Sequence, residues 1–335
     1  MREPAFWWRT AGRAAALLAA ASALYGALAV RRMLKTGRRA GIPVLCIGNF
    51  TLGGAGKTPT ALAVAKMLLE QGERPFFLSR GYGGRLSGPV QVDLTQHVAG
   101  DVGDEPLLLA RLSPTIVAHD RFAGAAAARA AGATVIVMDD GFQNPTLHKD
   151  VSLVVVDARR GIGNRRVFPA GPLRAPFERQ LARTSAILLI GEGEAGGGLM
   201  AEVQSRETPV FRARFVPDGD AVAALAGQKV LAFAGIGDPQ KFFATLEAAG
   251  IDAPVTQEFP DHHRYTPADC TVLLRRAEQE GLTLLTTEKD FVRLAGDEKL
   301  AVLAGRVRAL PVSLVPDDPA ALREWLLPLL SAARE

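Results

Sequence analysis

Short apolar runs alternate with longer helical stretches along the chain after Gly41. This alternation is typical of β–α–β units, in which helices join parallel strands. The predicted strands are residues 43–47, 75–78, 115–118, 134–138, 153–156, 186–190, 209–216, 221–226, 230–234, 283–286 and 311–314. The predicted helices are residues 57–71, 121–131, 239–249, 267–280 and 319–331. We therefore predict an α/β fold with a parallel sheet as its core.

A glycine-rich stretch at residues 191–198 interrupts this pattern and is predicted to be a linker. A chain of 335 residues is long for a single core, which favours more than one domain. We predict a helical segment at 1–40, a core domain at 41–205, and a smaller α/β domain at 206–335 that closes over the core domain.

The helical segment contains an uncharged apolar run of 17 residues, 14–30, with arginines on both sides and Phe6-Trp7-Trp8 upstream. As a helix it would be about 26 Å long, slightly short of a hydrocarbon core of roughly 30 Å. Interfacial aromatic rings and flanking cations favour a membrane-associated helix over a signal peptide or a helix packed on the protein itself. Whether it spans the bilayer or docks on its surface is left open.

Charge separates this segment from the rest of the chain. The formal net charge is +4, but residues 1–39 hold eight basic side chains and one acidic one, which leaves the remainder at −3. The basic balance therefore indicates contact with anionic lipid and not with nucleic acid. A composition of 48% hydrophobic and 22% charged residues excludes a disordered chain. Two distant cysteines exclude a disulfide framework and a cysteine metal site.

A glycine-rich loop, GNFTLGGAGKT at residues 48–58, follows the first predicted strand and precedes a predicted helix. Phosphate-binding loops have this order of strand, loop and helix. Backbone N–H groups would face phosphate oxygens, Lys57 would bridge the β- and γ-phosphates, and the Thr58 hydroxyl would bind Mg²⁺. The predicted ATP contacts are Thr51, Leu52, Gly53, Gly54, Ala55, Gly56, Lys57 and Thr58. Thr51 stands where the usual pattern has glycine.

Two sets of carboxylates are further candidates for the chemistry. Asp139 and Asp140 end an apolar strand, where acidic residues of such sheets lie near the phosphate site and can hold Mg²⁺. Asp104 and Glu105 precede Pro106 and an apolar run, which suits a helix N-terminus and equally a base for phosphoryl transfer to a hydroxyl. Asp104 is therefore either a helix cap or a catalytic base.

Three polar loops complete the candidates. His262 and His263 lie in FPDHHRY, without a third ligand at a zinc spacing, so a loop histidine that orients or relays a proton is the alternative to a metal site. The segment TTEKD at 286–290 is either a helix cap or a part of the cleft. Arg80 and Arg174 lie in glycine-containing basic loops that suit anionic ligands.

Together these segments resemble one family, the tetraacyldisaccharide 4'-kinases of lipid A biosynthesis. The resemblance is carried, in order, by GNFTLGGAGKTPT, LSRGYGG, GDEPLLLA, DDGFQN, FPAGPLRAP, FPDHHRY and TTEKD. It implies a phosphate-loop NTPase-like core and a kinase that uses ATP and Mg²⁺. The implied acceptor is the 4'-hydroxyl of tetraacyldisaccharide 1-phosphate, a lipid A disaccharide precursor. The implied location is the inner membrane, with the catalytic domains on its cytoplasmic side.

The resemblance also implies roles for single residues. Asp104 would be the base, oriented by His262, while Lys57 would act on the phosphates. The metal residues would be Thr58, Asp139, Asp140 and Glu105, with Arg80 and Arg174 as support for the substrate and phosphates. Two positions depart from the family pattern: Asn144 stands for a histidine and Ala175 for a glutamate implicated in Mg²⁺ binding, for which Glu105 or Glu178 are the candidate substitutes.

A membrane-anchored ATPase switch acting on a protein partner is the competing hypothesis. Partitioning and metal-insertion ATPases have loops of the form KGGxGK[ST], and Leu52 replaces their extra lysine here. The absence of that lysine and the presence of the acid–histidine pair both favour the kinase.

Overall fold

Two separate β-sheets organise the part of the chain that the computed structural model describes, residues 3–204 and 206–334. The strands are β1 (Val44–Asn49), β2 (Pro75–Ser79), β3 (Val90–Gln91), β4 (Thr115–Val117), β5 (Val135–Asp139), β6 (Val151–Asp157), β7 (Ala186–Ile190), β8 (Val210–Pro217), β9 (Val230–Ala234), β10 (Val255–Glu258), β11 (Thr283–Thr287), β12 (Val307–Leu310) and β13 (Val312–Pro316). The larger sheet has the order β13-β8-β7-β6-β1-β5-β2-β4-β3, and the smaller one has the order β10-β9-β11-β12.

Helices connect these strands and cover the sheets. They are α1 (Arg13–Leu17), α2 (Ala19–Met33), α3 (Lys57–Glu70), α4 (Ala99–Val102), α5 (Asp104–Ala110), α6 (Arg121–Ala130), α7 (Phe177–Leu181), α8 (Glu194–Gln204), α9 (Gly219–Ala223), α10 (Pro239–Ala248), α11 (Pro267–Glu280), α12 (Glu288–Ala295), α13 (Ala301–Ala304) and α14 (Pro319–Ala332). Short 3-10 turns lie at Ala5–Trp8 and Glu298–Leu300.

The larger sheet is parallel except at its two edges, where β13 runs antiparallel to β8 and β3 runs antiparallel to β4. Its central strands β1, β5, β6 and β7 are buried along their whole length, as expected for strands covered on both faces by helices. β1 pairs with β5 on one side and β6 on the other, so the carboxyl ends of all three strands meet at one edge. Ligands of open α/β sheets bind at that edge.

The predicted α/β class with a large parallel sheet is confirmed, but two local predictions are wrong. Residues 221–226 form no strand: the first three belong to α9, whose first turn the Asp218 carboxylate caps by accepting from Ala221 N, and the others form a turn. The predicted glycine linker at 191–198 largely belongs to α8. Residues 210–217 and 312–332 join the larger sheet and its helical layer, although both were assigned to the C-terminal domain. The division into domains stays a prediction.

The apolar run at 14–30 forms two helices, because Leu18 leaves the helical conformation and separates α1 from α2. α2 packs its small side chains on the loop at 165–177: the Ser22 hydroxyl donates to Val167 O at 2.6 Å, and Gly26 faces Pro176. Four leucines in and beside these two helices are exposed: Leu17, Leu24, Leu28 and Leu34. None of the helices in the described ranges combines the length and apolar character that a membrane crossing requires.

Candidate active site

The phosphate loop connects β1 to α3 at the carboxyl edge of the larger sheet. Gly53 and Gly56 adopt left-handed backbone conformations, with φ of 97° and 94°. At Gly56 an added Cβ would lie 2.8 Å from the Ile190 side chain and 3.0 Å from Phe215, so the turn requires glycine on two grounds. The loop therefore brings the first turn of α3, with its free N–H groups, to the strand end where phosphates bind.

Arg174 holds this loop against the strand end that carries Asp140. Its Nε donates to Thr51 O at 2.8 Å, and its two terminal nitrogens donate to Asp140 Oδ1 and Oδ2 at 2.9 and 3.2 Å. Lys57 Nζ lies 3.7 Å from Asp140 Oδ2. Burial alone would raise the pKa of Asp140, but the charges of Arg174 and Lys57 outweigh it and hold this pKa well below its usual range. Asp140 is therefore an ionised carboxylate that orders the loop.

Asp139, its neighbour, has the opposite electrostatic environment. Burial, together with the nearby charges of Glu105 and Asp140, raises the pKa of Asp139 to about 7, and Lys57 and Thr58 only partly offset this. The Thr58 hydroxyl donates to Asp139 Oδ2 at 3.0 Å, while Asp139 Oδ1 is buried and has no hydrogen-bond partner within the described ranges. Carboxylate and hydroxyl oxygens are ligands that Mg²⁺ prefers. Thr58 and Asp139 thus fit a magnesium ion.

The other two predicted metal residues have cationic partners already. Asp140 pairs with Arg174, and Glu105 Oε1 accepts from Lys289 Nζ at 2.9 Å. No group of three or more His, Cys, Asp or Glu side chains capable of holding a metal ion occurs in the described ranges.

Asp104 and His262 meet across the two sheets, although 158 positions separate them in the chain. Asp104 begins α5 on the larger sheet, and its side chain is only 4% exposed. His262 lies in the loop between β10 and α11, with its Nδ1 3.2 Å from Asp104 Oδ2. The backbone of His262 is left-handed, with φ of 55°, a conformation that is unusual for residues other than glycine.

The pKa of Asp104 is strongly lowered. Burial would raise it, but the hydrogen bond from His262 and the charges of Lys289 and Arg293 outweigh burial and hold the pKa of this carboxyl well below its usual range. Both cations lie on α12, the helix that follows β11 of the smaller sheet. Arg293 Nε donates to Asp104 Oδ2 at 2.6 Å.

The structure thus brings most of the predicted residues together and separates a few. Arg80 directly follows β2, is exposed, and makes no hydrogen bond or ion pair with any described residue. Glu178 pairs with Arg206 on the surface, which leaves Glu105 as the nearer acid to Asp139. Ala175 is fully buried, and Asn144 Oδ1 caps a turn by accepting from Thr146 N.

The role of α12 was missed at the level of sequence. The TTEKD motif was interpreted as a helix cap or as part of the cleft, and it is both: Thr287 Oγ1 accepts from Asp290 N, while Lys289 reaches Glu105. Arg293 was not predicted at all. The available signal was the spacing of Lys289 and Arg293, since residues four apart lie on one face of a helix.

Comparison with known proteins identifies relatives of this chain and a similar fold. The family model described as Tetraacyldisaccharide-1-P 4'-kinase matches residues 14–331. A tetraacyldisaccharide 4'-kinase of Nitrobacter winogradskyi is 55% identical over all of this chain and 99% of the relative. One of Bradyrhizobium diazoefficiens is 55% identical over all of this chain and 98% of the relative. A crystal structure of LpxK from Aquifex aeolicus in complex with ATP has a TM-score of 0.71 at 25% identity, covering 94% of this chain and 99% of that one.

Proposed function

The chain belongs to the tetraacyldisaccharide-1-P 4'-kinase family, and we propose that its reaction takes place where the phosphate loop faces the pair of Asp104 and His262. The protein is an ATP-dependent kinase that phosphorylates the 4'-hydroxyl of tetraacyldisaccharide 1-phosphate, a precursor of lipid A. The competing ATPase switch is disfavoured, because relatives sharing more than half of the residues over the whole chain are named as this kinase.

One observation carries the proposed site: a buried carboxylate and a histidine from different sheets lie 3.2 Å apart beside a phosphate loop. A kinase acting on an alcohol needs a group that accepts the hydroxyl proton and a cradle that holds the transferring phosphate. The described residues supply both within one cleft.

We assign the proton to His262 rather than to Asp104, which reverses the roles implied by the resemblance. Asp104 is a poor proton acceptor because its neighbours hold its pKa well below the usual range. If His262 Nδ1–H donates to Asp104 Oδ2, the Nε2 lone pair faces Lys289 Nζ at 3.5 Å and can accept the hydroxyl proton once the substrate replaces that contact. The acceptor oxygen then attacks the γ-phosphorus, the bond from that phosphorus to the bridging oxygen breaks, and ADP leaves with the electron pair.

The phosphate side supports the same step by electrostatics. Lys57, beside Asp140, is positioned to neutralise charge on the transferring phosphate, and the N-terminus of α3 points backbone N–H groups toward it. Thr58 and Asp139 would hold Mg²⁺, which supplies charge neutralisation on the phosphate oxygens when it is bound. We further propose that closure of the smaller domain completes the site and excludes water.

The N-terminal helices are proposed to place the enzyme on the cytoplasmic side of the inner membrane. α2 exposes Leu24 and Leu28 on the side opposite its contact with the protein, and Arg31 and Arg32 follow in its last turn. Apolar side chains with flanking cations suit the headgroup region of an anionic bilayer. Such a location would also bring the site to a lipid acceptor.

The experiment that tests this proposal is phosphate transfer from γ-³²P-ATP to tetraacyldisaccharide 1-phosphate in detergent micelles with Mg²⁺. We expect label on the 4'-oxygen with the wild-type protein and its loss with His262→Ala. Arg306→Met is the matched control, since it removes a cation of the same domain that pairs with Glu278 on the surface. Label released only as inorganic phosphate would contradict the kinase and support the ATPase switch.

A further inference from the structure

The contact between α12 and α5 joins the two sheets at the active site. Lys289 and Arg293 lie one turn apart on α12 and face two consecutive acids at the start of α5. Lys289 pairs with Glu105, and Arg293 pairs with Asp104. Two cations therefore meet the acids of the larger sheet along one helix face.

Arg293 does more than neutralise Asp104. While its Nε donates to Asp104 Oδ2, its Nη1 donates to Gly235 O and to Asp290 Oδ1, both at 2.8 Å. The side chain is 8% exposed, and its Nη2 is buried without a hydrogen-bond partner in the described ranges. A buried cation with an unpaired donor is a costly way to stabilise a fold. That cost suggests that this arginine is retained for the geometry it imposes.

Gly235 connects this geometry to His262. The carbonyl that accepts from Arg293 also accepts from His262 N, at 3.0 Å. That bond holds the loop in which His262 has its left-handed backbone conformation. The Arg293 guanidinium thus contacts the Asp104 carboxylate directly, and it also contacts the Gly235 carbonyl that accepts from His262 N.

Asp290 fixes the other end of Arg293. Its side chain is fully buried and accepts hydrogen bonds from Gly235 N at 3.0 Å, from the Tyr265 hydroxyl at 2.8 Å and from the Thr287 hydroxyl at 2.7 Å. A carboxylate held by this many donors has one orientation. Arg293 is therefore anchored in the smaller domain and reaches from there to the larger one.

We propose that Arg293 is a positioning residue for phosphoryl transfer, which sets the Asp104 carboxylate and the His262 loop in their mutual geometry when α12 docks on α5. This inference rests on the proton-accepting pair proposed above. Arg293 touches neither substrate nor phosphate in this role and acts only through that pair.

Arg293→Met tests the proposal by its effect on separate kinetic constants. We expect kcat to fall about 10²-fold, since small misplacements of catalytic groups have losses of this size. The KM for ATP should change by less than about 3-fold, because the phosphate loop does not depend on Arg293. Arg306→Met should leave both constants unchanged. An Arg293→Met enzyme with wild-type kcat would overturn the proposal.

Arg293→Lys separates charge from geometry. An ammonium keeps the buried charge but cannot reach Asp104, Gly235 and Asp290 in the planar arrangement of a guanidinium. We expect Arg293→Lys to recover less than about a tenth of the wild-type kcat. Full recovery would mean that charge alone suffices and would overturn a positioning role.

A double-mutant cycle with His262→Ala shows whether Arg293 acts through the pair. In the His262→Ala background, Arg293→Met should lower kcat by no more than about 3-fold, because the base that Arg293 positions is already absent. If the double variant lost kcat by the product of the two single-variant losses, the proposal would be overturned. If the methionine variant fails to fold, Arg293→Lys takes its place in the cycle. Near-normal turnover of His262→Ala itself would instead contradict the proposed function.

Discussion

The two halves of the proposed active site are constructed in different ways. The nucleotide half comes from adjacent strands of one sheet: β1 leads into the phosphate loop, and Asp139 ends β5, with Ile47 and Asp139 in register. The proton-accepting half combines Asp104 from the larger sheet with His262 from a loop of the smaller one. The first half therefore forms on a single sheet, while the second exists only where elements of the two sheets meet.

The charges differ in the same way. In the nucleotide half, Asp139 lacks a close cation of its own, and burial raises its pKa to about 7. In the other half, Asp104 is surrounded by His262, Lys289 and Arg293, which hold its pKa well below the usual range despite burial. An under-neutralised carboxylate suits a site that receives a cation with its ligand. A fully neutralised one suits a fixed support for a neighbouring base.

The largest effect is expected in the nucleotide half. Lys57→Met should lower kcat/KM on the order of 10³-fold or more, because it removes the cation of the phosphate loop that lies beside Asp140 and is positioned to neutralise charge on the transferring phosphate. Nucleotide binding, measured by calorimetry with ATP and Mg²⁺, should weaken in parallel. Lys66→Met, a lysine farther along α3, is the control. If Lys57→Met lost phosphate transfer while its affinity for ATP stayed unchanged, the nucleotide half and the proton-accepting half would be less independent than their different sheets indicate.

In the proton-accepting half, His262→Ala should lower kcat about 10²-fold and leave ATP affinity nearly unchanged. Asp104 stays ionised and cannot replace the histidine as the base, since the charges around it hold its pKa well below the usual range. His148→Ala, at a surface pair with Asp150, is the control. A His262→Ala variant with near-wild-type kcat would contradict the assignment.

The same difference explains what the sequence could predict. The phosphate loop, Lys57 and Asp139 lie at the ends of contiguous apolar runs, so local pattern and spacing place them at one sheet edge. The contact of Asp104 with His262 has no local signal and entered only through the family resemblance. Arg293 was not found because its proposed role depends on α12 packing against α5, which is distant in the chain. The helix α9 was mistaken for a strand because its alanines and valines are as apolar as a strand, and the Asp218 cap decides the outcome.

A smaller effect, on stability, distinguishes the two aspartates of the nucleotide half. Because the folded-state pKa of Asp139 is raised, its contribution to the free energy of unfolding falls as the pH rises from about 4 to about 7. Asp139→Asn removes that fall, so the unliganded variant should be more stable than wild type at pH 8 by about 2 kcal/mol, although inactive. Urea unfolding at pH 5 and 8 measures the difference.

Asp140→Asn is the matched variant for this measurement. The folded-state pKa of Asp140 is lowered, so its stabilising contribution is present above the ordinary carboxyl pKa and is lost only in acid. The asparagine should therefore destabilise the protein at pH 8, by removing the partner of Arg174. Equal signs for the two variants would contradict the electrostatic difference between neighbouring residues.

The smallest expected effect concerns the anchor of the proton-accepting half. Tyr265→Phe removes one donor to Asp290 and keeps a ring that packs edge-on against Phe233 and Phe259. Burial and the Asp290 charge raise the pKa of the Tyr265 hydroxyl above its usual range, so the group is a constant donor at all working pH values. Its loss should lower the free energy of unfolding by about 1 kcal/mol. Asp290 keeps Arg293 among its remaining donors, so kcat should change by less than about 3-fold. A 10-fold loss of kcat at unchanged stability would mean that the other hydrogen bonds to Asp290 cannot replace the one from Tyr265. The proton-accepting half would then depend on every donor to Asp290.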